Sequence, residues 1–184
     1  MGSKDGEMSQ SYSGFRCFSD QLIMRAFPVL GKNFVRIAPE FKDMNENVDL
    51  EVLATDVAFR VRKWEDRCYK GDFTIRSKVK SGRKTELDKI ISGFGRYLFY
   101  AISNKNKDGF HCFALIDLNV FRSIFYKTVM ENKGEIPLKW KERANGDGSY
   151  FRPFKYTEFP DSLLIDQQGL NEMIKEEEGT CKSN

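Results

Sequence analysis

The chain has little of what Cys/His metal sites and redox centres are built from. Its 184 residues include one histidine, His111, and four cysteines, Cys17, Cys68, Cys112 and Cys181, scattered with no CxxC pair. That spacing argues against a zinc site and leaves reduced thiols as the expectation. No apolar run approaches the roughly 20 residues that a membrane-spanning helix requires. The opening MGSKDGEMSQSYSG carries no apolar segment of the kind that directs export, so a cytoplasmic protein without a membrane partner is expected. Charge of one sign is also scarce overall, with a net of only +3.

What is present is phenylalanine and unevenly placed charge. Sixteen phenylalanines and 40% hydrophobic residues supply a core, and 184 residues suit one domain better than two. Between Arg60 and Lys84 ten lysines or arginines stand against three acids, a local net of +7, while the stretch from Asn171 to Glu178 is acidic. A basic middle inside a near-neutral chain predicts a localised surface for a polyanion, or else a solvated strand face.

Residues 1–14, polar and rich in serine and glycine, are expected to be disordered. SDQLIMRAFPVLG predicts a helix capped by Ser19 and stopped by Gly31, with Pro28 breaking or kinking its last turn. FVRIAP over 34–39 reads as a short strand, and FKDMNENVD as a polar connection. LEVLATDVAFRVRKW predicts a strand with Val57, Phe59 and Val61 on one face and Asp56, Ala58, Arg60 and Arg62 on the other. GDFTIRSKVK alternates in the same way, with Phe73, Ile75, Ser77 and Val79 opposite Thr74, Arg76, Lys78 and Lys80. The polar EDRCYKGD between them predicts a hairpin that puts both sets of charges on one side.

TELDKIISGFGRYLFYAIS is read as one long helix capped by Thr85, with Leu87, Ile90, Ile91, Phe94, Leu98 and Ala101 as its apolar stripe. FHCFALIDL predicts a buried central strand, NVFRSIFYKTVMENKG a helix ending at Gly134, and KWKER-NGDG-SYFRPFKY a further hairpin. The order helix, strand, strand, strand, helix, strand predicts an α/β sandwich. The chain then divides into a core over 15–134, a C-terminal hairpin extension of the same domain over 135–170, and an acidic tail over 171–184.

An αβββαβ order with an acid, Asp56, on one strand and a lysine, Lys78, on the next resembles the PD-(D/E)XK nuclease superfamily. GRYLFYAIS, FALIDL and NVFRS are similar to segments that follow the motif in members of that group, so the resemblance spans roughly residues 18–126. It implies a restriction-endonuclease-like core, a mixed sheet flanked by helices, and a Mg²⁺- or Mn²⁺-dependent endonuclease hydrolysing phosphodiesters, with DNA as partner and a possible homodimer. Asp56 and Lys78 are the catalytic pair in that reading. A hard divalent ion needs carboxylate oxygens, and a lysine beside it stabilises the charge of the phosphorane.

The sequence departs from the motif at Arg76, a cation where the second acid belongs. Three acids are candidates to replace it. Asp72 is on the same strand face but about 13 Å away, and Glu86 and Asp88 open the following helix. The metal set is then Asp56 with Glu86 or Asp72. Arg60, Arg62, Arg76, Lys80, Arg83 and Lys84 are candidates to bind nucleic-acid phosphates, which requires no base reading. Trp64 and Tyr69 are candidate stacking aromatics, and His111 reads as a core or edge histidine. Two other functions fit the same residues: a nuclease fold without its metal that binds nucleic acid or a nucleic-acid-handling enzyme, and a small inhibitor or adaptor that uses SYFRPFKY as its contact edge.

Overall fold

The computed structural model describes residues 22–37, 39, 50–53, 55–65, 71–172 and 174, and in them the alternating apolar residues separate two cores on the two faces of one sheet. The expectations for residues 1–14, Ser19, the 41–49 connection, Tyr69 and nearly all of the acidic tail lie outside the described residues.

Residues 22–34 form helix α1, which continues past Gly31 and leads directly into β1, Val35–Ile37. An interior glycine costs a helix about 1 kcal/mol. Burial of Phe34 at the end of the helix offsets that cost. Strand β2, Leu50–Val52, pairs antiparallel with β1. The segment predicted as one strand is therefore broken between Val52 and Val57.

The principal sheet has the order β3-β5-β6-β9, formed by Val57–Arg62, Tyr97–Ser103, Phe110–Asp117 and Leu164–Gln168. It is mixed, with β3 parallel to β5 and the other pairs antiparallel. Alternate residues of its strands divide the two cores. Val61, Phe99, Ala101, Phe113 and Leu115 meet Leu22, Ala26 and Phe34 of α1. Leu98, Tyr100, Ala114 and Ile116 face the other way.

That second face is covered by a three-stranded antiparallel sheet of order β4-β8-β7, formed by Asp72–Lys78, Tyr150–Lys155 and Arg143–Ala144. Two helices join it, α2 (Glu86–Ile91) and α3 (Leu118–Glu131). Phe73, Phe121, Phe125, Trp140, Phe154 and Phe159 interlock there, with Phe125 and Trp140 stacked at 5.5 Å between centroids. Asp117 caps α3 by accepting from the Asn119 amide, and Gly134 follows at φ +86°, where the predicted end lies. The predicted hairpin around NGDG is present as β7 and β8.

Two further expectations fail. β3 and β4 do not form a hairpin; they belong to different sheets, with β5 and β8 as their respective partners. Parallel pairing of β3 with β5 requires a crossover, which 63–96 supplies. Side by side in one sheet, Arg60, Arg62, Arg76 and Lys78 would oppose like charges across the strands. Nor is 85–103 one helix. The helix stops at Ile91, Gly93 (φ +95°) and Gly95 (φ +74°) turn the chain, and YLFYAIS becomes the central strand β5. Aromatic and β-branched residues fit a sheet, and six of the seven positions of β5 are buried, which a one-sided helix does not provide.

Candidate functional site

Strand β3 is an edge of the principal sheet, and the second layer falls short of covering it. On the face toward that layer Ala58, Arg60 and Arg62 alternate, as their spacing predicts, and they form one wall of a cleft. The opposite wall is Arg76 and Val79 at the end of β4. Lys84, Thr85, Glu86, Lys89 and Ile90 of α2 and its cap form the roof, and Phe94, Gly95 and Leu118 also line the cavity. The cavity measures about 560 Å³.

Thr85 fixes the roof through a closed capping box. Its side chain accepts from the Asp88 amide at 3.2 Å while Asp88 Oδ2 accepts from the Thr85 amide at 2.8 Å. Those hydrogen bonds from Thr85 hold the Asp88 carboxyl below its usual range. Asp88 is thereby engaged in the cap. Glu86, two residues earlier in the same turn, lines the cleft. It pairs with Arg60 and accepts from the Arg76 amide at 3.1 Å, so it ties β3, β4 and α2 together. Burial holds the Arg60 guanidinium below the usual arginine range, and the Glu86 carboxylate opposes that shift. Arg62 donates to Thr74 Oγ1 across the layers and sits 5.6 Å from the centre of the Phe151 ring.

The cleft therefore presents five cations, Arg60, Arg62, Arg76, Lys84 and Lys89, against one carboxylate, Glu86, a net of +4. Arg76, Lys84 and Lys89 are exposed to solvent. Charges converging on a concave, partly apolar surface focus the field, so the cleft attracts anions well beyond what a total of +3 implies.

Of the sequence candidates, Arg60, Arg62, Arg76, Lys84 and Glu86 come together here. Asp56, Lys78, Lys80 and Arg83 are not among the lining residues. Asp56 precedes β3, and its carbonyl accepts from the Arg96 and Tyr97 amides at 3.2 and 3.1 Å. Lys78 lies over the Tyr150 ring at 5.3 Å, on the β8 side of its strand. Lys80 packs on the β7–β8 turn, where a Cβ at Gly148 would meet its side chain. Asp72 is buried at the head of β4, on a cavity of about 10 Å³ shared with Tyr100, Cys112 and Tyr156. Burial there pushes the Cys112 thiol up to about 11.

Trp64 packs edge-on against His111 at 4.7 Å between centroids. His111, read from the sequence as a core or edge histidine, is exposed near the start of β6. Two lining residues escaped the sequence reading. Lys89 shares the cleft with Glu86 because i and i+3 lie together on a helix, a signal the sequence did contain. Phe94, part of the apolar stripe of the predicted helix, is 67% exposed.

The donor set does not fit the divalent ion that the resemblance implies. Among the described residues no group of three or more His, Cys, Asp or Glu is gathered to hold a metal. Glu86, the one acid in the cleft, is already paired with Arg60. No helix among the described residues is long and apolar enough to cross a membrane. No family model matches the chain, and no curated protein or solved structure matches it either.

Proposed function

We propose that the protein is a nucleic-acid-binding protein that takes the phosphate backbone into the cleft between β3, β4 and α2. The observation that carries this reading is the convergence of Arg60, Arg62, Arg76, Lys84 and Lys89 on one concave surface from three consecutive elements that belong to different layers. A solvated charged face has no reason to gather cations that repel one another, whereas a polyanion compensates all of them at once. Guanidinium groups add forked, bidentate contacts to phosphate oxygens.

The PD-(D/E)XK resemblance enters this reading as a nuclease-like core that binds without a metal. The mixed sheet with helices against both faces is compatible with it. Arg76, in the position of the second acid, disfavours a divalent cation and favours phosphate. No catalytic step is assigned to Asp56, Lys78 or a metal ion.

The test is fluorescence anisotropy of a labelled single strand of about 12 nucleotides, a length within the range of single-strand binding sites. Log K is measured against log salt for the wild type and for the triple variant Arg76→Ala, Lys84→Ala, Lys89→Ala. Every phosphate that a cation no longer neutralises reduces the slope by about 0.7 for a single strand, so the variant is expected to show a slope shallower by about 2 together with a loss of most of its affinity. An unchanged slope removes the cleft as the binding surface. Cleavage of the strand in Mg²⁺ or Mn²⁺, abolished by Asp56→Ala and Lys78→Ala, would replace this reading with the enzyme.

A further inference from the structure

We propose that Phe94 is a fixed stacking platform that makes the cleft selective for an unpaired base; this rests on the cationic cleft being a nucleic-acid site. A lone exposed phenylalanine is ordinary on a protein surface. Phe94 differs in where it stands and in how it is held. It lines the cleft together with Lys89 and the apolar Ile90 and Leu118.

The turn that carries it is braced from several sides. The Ser92, Gly93 and Phe94 amides donate to the Asp88, Ile90 and Lys89 carbonyls, each at 3.0 Å. From α3, Arg122 Nη1 donates to the Ile90 and Gly95 carbonyls at 3.3 and 3.1 Å and reaches the Phe94 carbonyl at 3.5 Å, while Tyr126 donates to Ile91 at 2.6 Å. Gly93 and Gly95 take positive φ values that other residues rarely adopt. Two glycines and one arginine therefore fix the backbone from which this large apolar ring, 67% exposed, projects.

Stacking explains that arrangement. A base has an apolar face and follows its phosphate by a few ångströms, so a ring beside a cluster of cations receives the base when the cations receive the backbone. The cavity of about 560 Å³ lies in the size class of small-ligand pockets and accommodates a nucleotide unit. In a duplex the base faces are already covered by their neighbours. The platform is thus usable only by a single strand or an extruded base.

The test compares three probes of equal length: oligo-dT, the same backbone with abasic sites, and duplex DNA. Wild-type protein is expected to bind oligo-dT at least several-fold more tightly than the abasic strand. Phe94→Ala and Phe94→Leu are expected to weaken oligo-dT by roughly tenfold, the cost of losing one stacked base, and to leave the abasic strand unaffected. Phe94→Trp restores the difference. Equal wild-type affinity for the dT and abasic strands, or a Phe94→Ala loss that is absent or the same on both, overturns the platform while leaving the cleft reading intact. Failure of the wild type to bind any of the three probes overturns both.

Discussion

Glu86 is the residue on which the site's electrostatics turn. It is the single carboxylate among five cations, and its pairing with Arg60 is largely withdrawn from solvent, at 25% and 16% side-chain exposure. Removing one member of such a pair leaves the other charge uncompensated, which costs several kcal/mol when burial is complete and less when water still reaches it. Glu86→Ala is therefore expected to lower stability by about 1–2 kcal/mol in urea denaturation. Glu86→Gln should lower it less, because its amide oxygen still accepts from the Arg76 backbone. The same Glu86→Ala change raises the cleft's net charge by one, so affinity for an oligonucleotide should rise while stability falls. A parallel fall in both would mean that Glu86 organises the site rather than balancing it. At this scale much was legible in the sequence, since period-two alternation placed Arg60, Arg62 and Arg76 and first-turn chemistry placed Glu86. Asp56 and Lys78 stand out only through the motif, which carries no information about which sheet a strand joins.

The segment from Thr85 to Ser103 shows why element type was harder to read. Its apolar residues satisfy a helical stripe through Leu98 and Ala101, yet Gly93 and Gly95 interrupt it and from Leu98 on every residue of β5 is buried. A continuous apolar run does not by itself distinguish a buried strand from a helix. Glycines two apart are the better evidence, because here both adopt positive φ. Gly93→Ala is expected to destabilise the protein by about 1–2 kcal/mol from backbone strain alone, since a Cβ there meets nothing within 4 Å. Gly95→Ala should cost more, because its Cβ would also press on Leu118 Cδ1 at 3.3 Å. Denaturant midpoints for the two variants test the order, and a Gly93→Ala protein as stable as the wild type would show that the turn tolerates an ordinary residue. The same logic accounts for α1 running through Gly31. That glycine is in helical conformation, and burial of Phe34 outweighs its poor propensity.

At the scale of the whole molecule, the cleft exists because two sheets of unequal reach are stacked. β4 belongs to the smaller one, so its Arg76 faces the cations of β3 across a gap instead of lying beside them in a hairpin. Long-range pairing of β4 with β8, between seventy and eighty-five residues on in sequence, is set by core packing, which local patterning does not encode. This origin makes a prediction about ligand binding. An oligonucleotide at a hundred times its Kd stabilises the native state by about 2.7 kcal/mol, and that gain reaches every element the ligand bridges. Hydrogen exchange should therefore slow together in three places: Val57–Arg62 at the sheet edge, the β4 end around Arg76, and the 85–95 cap, helix and turn. Protection confined to the β7–β8 hairpin or to β9 would place the ligand elsewhere. Protection of 85–95 without β3 would mean that the helix surface binds alone, and that the opposing arginines serve only to hold the two sheets together.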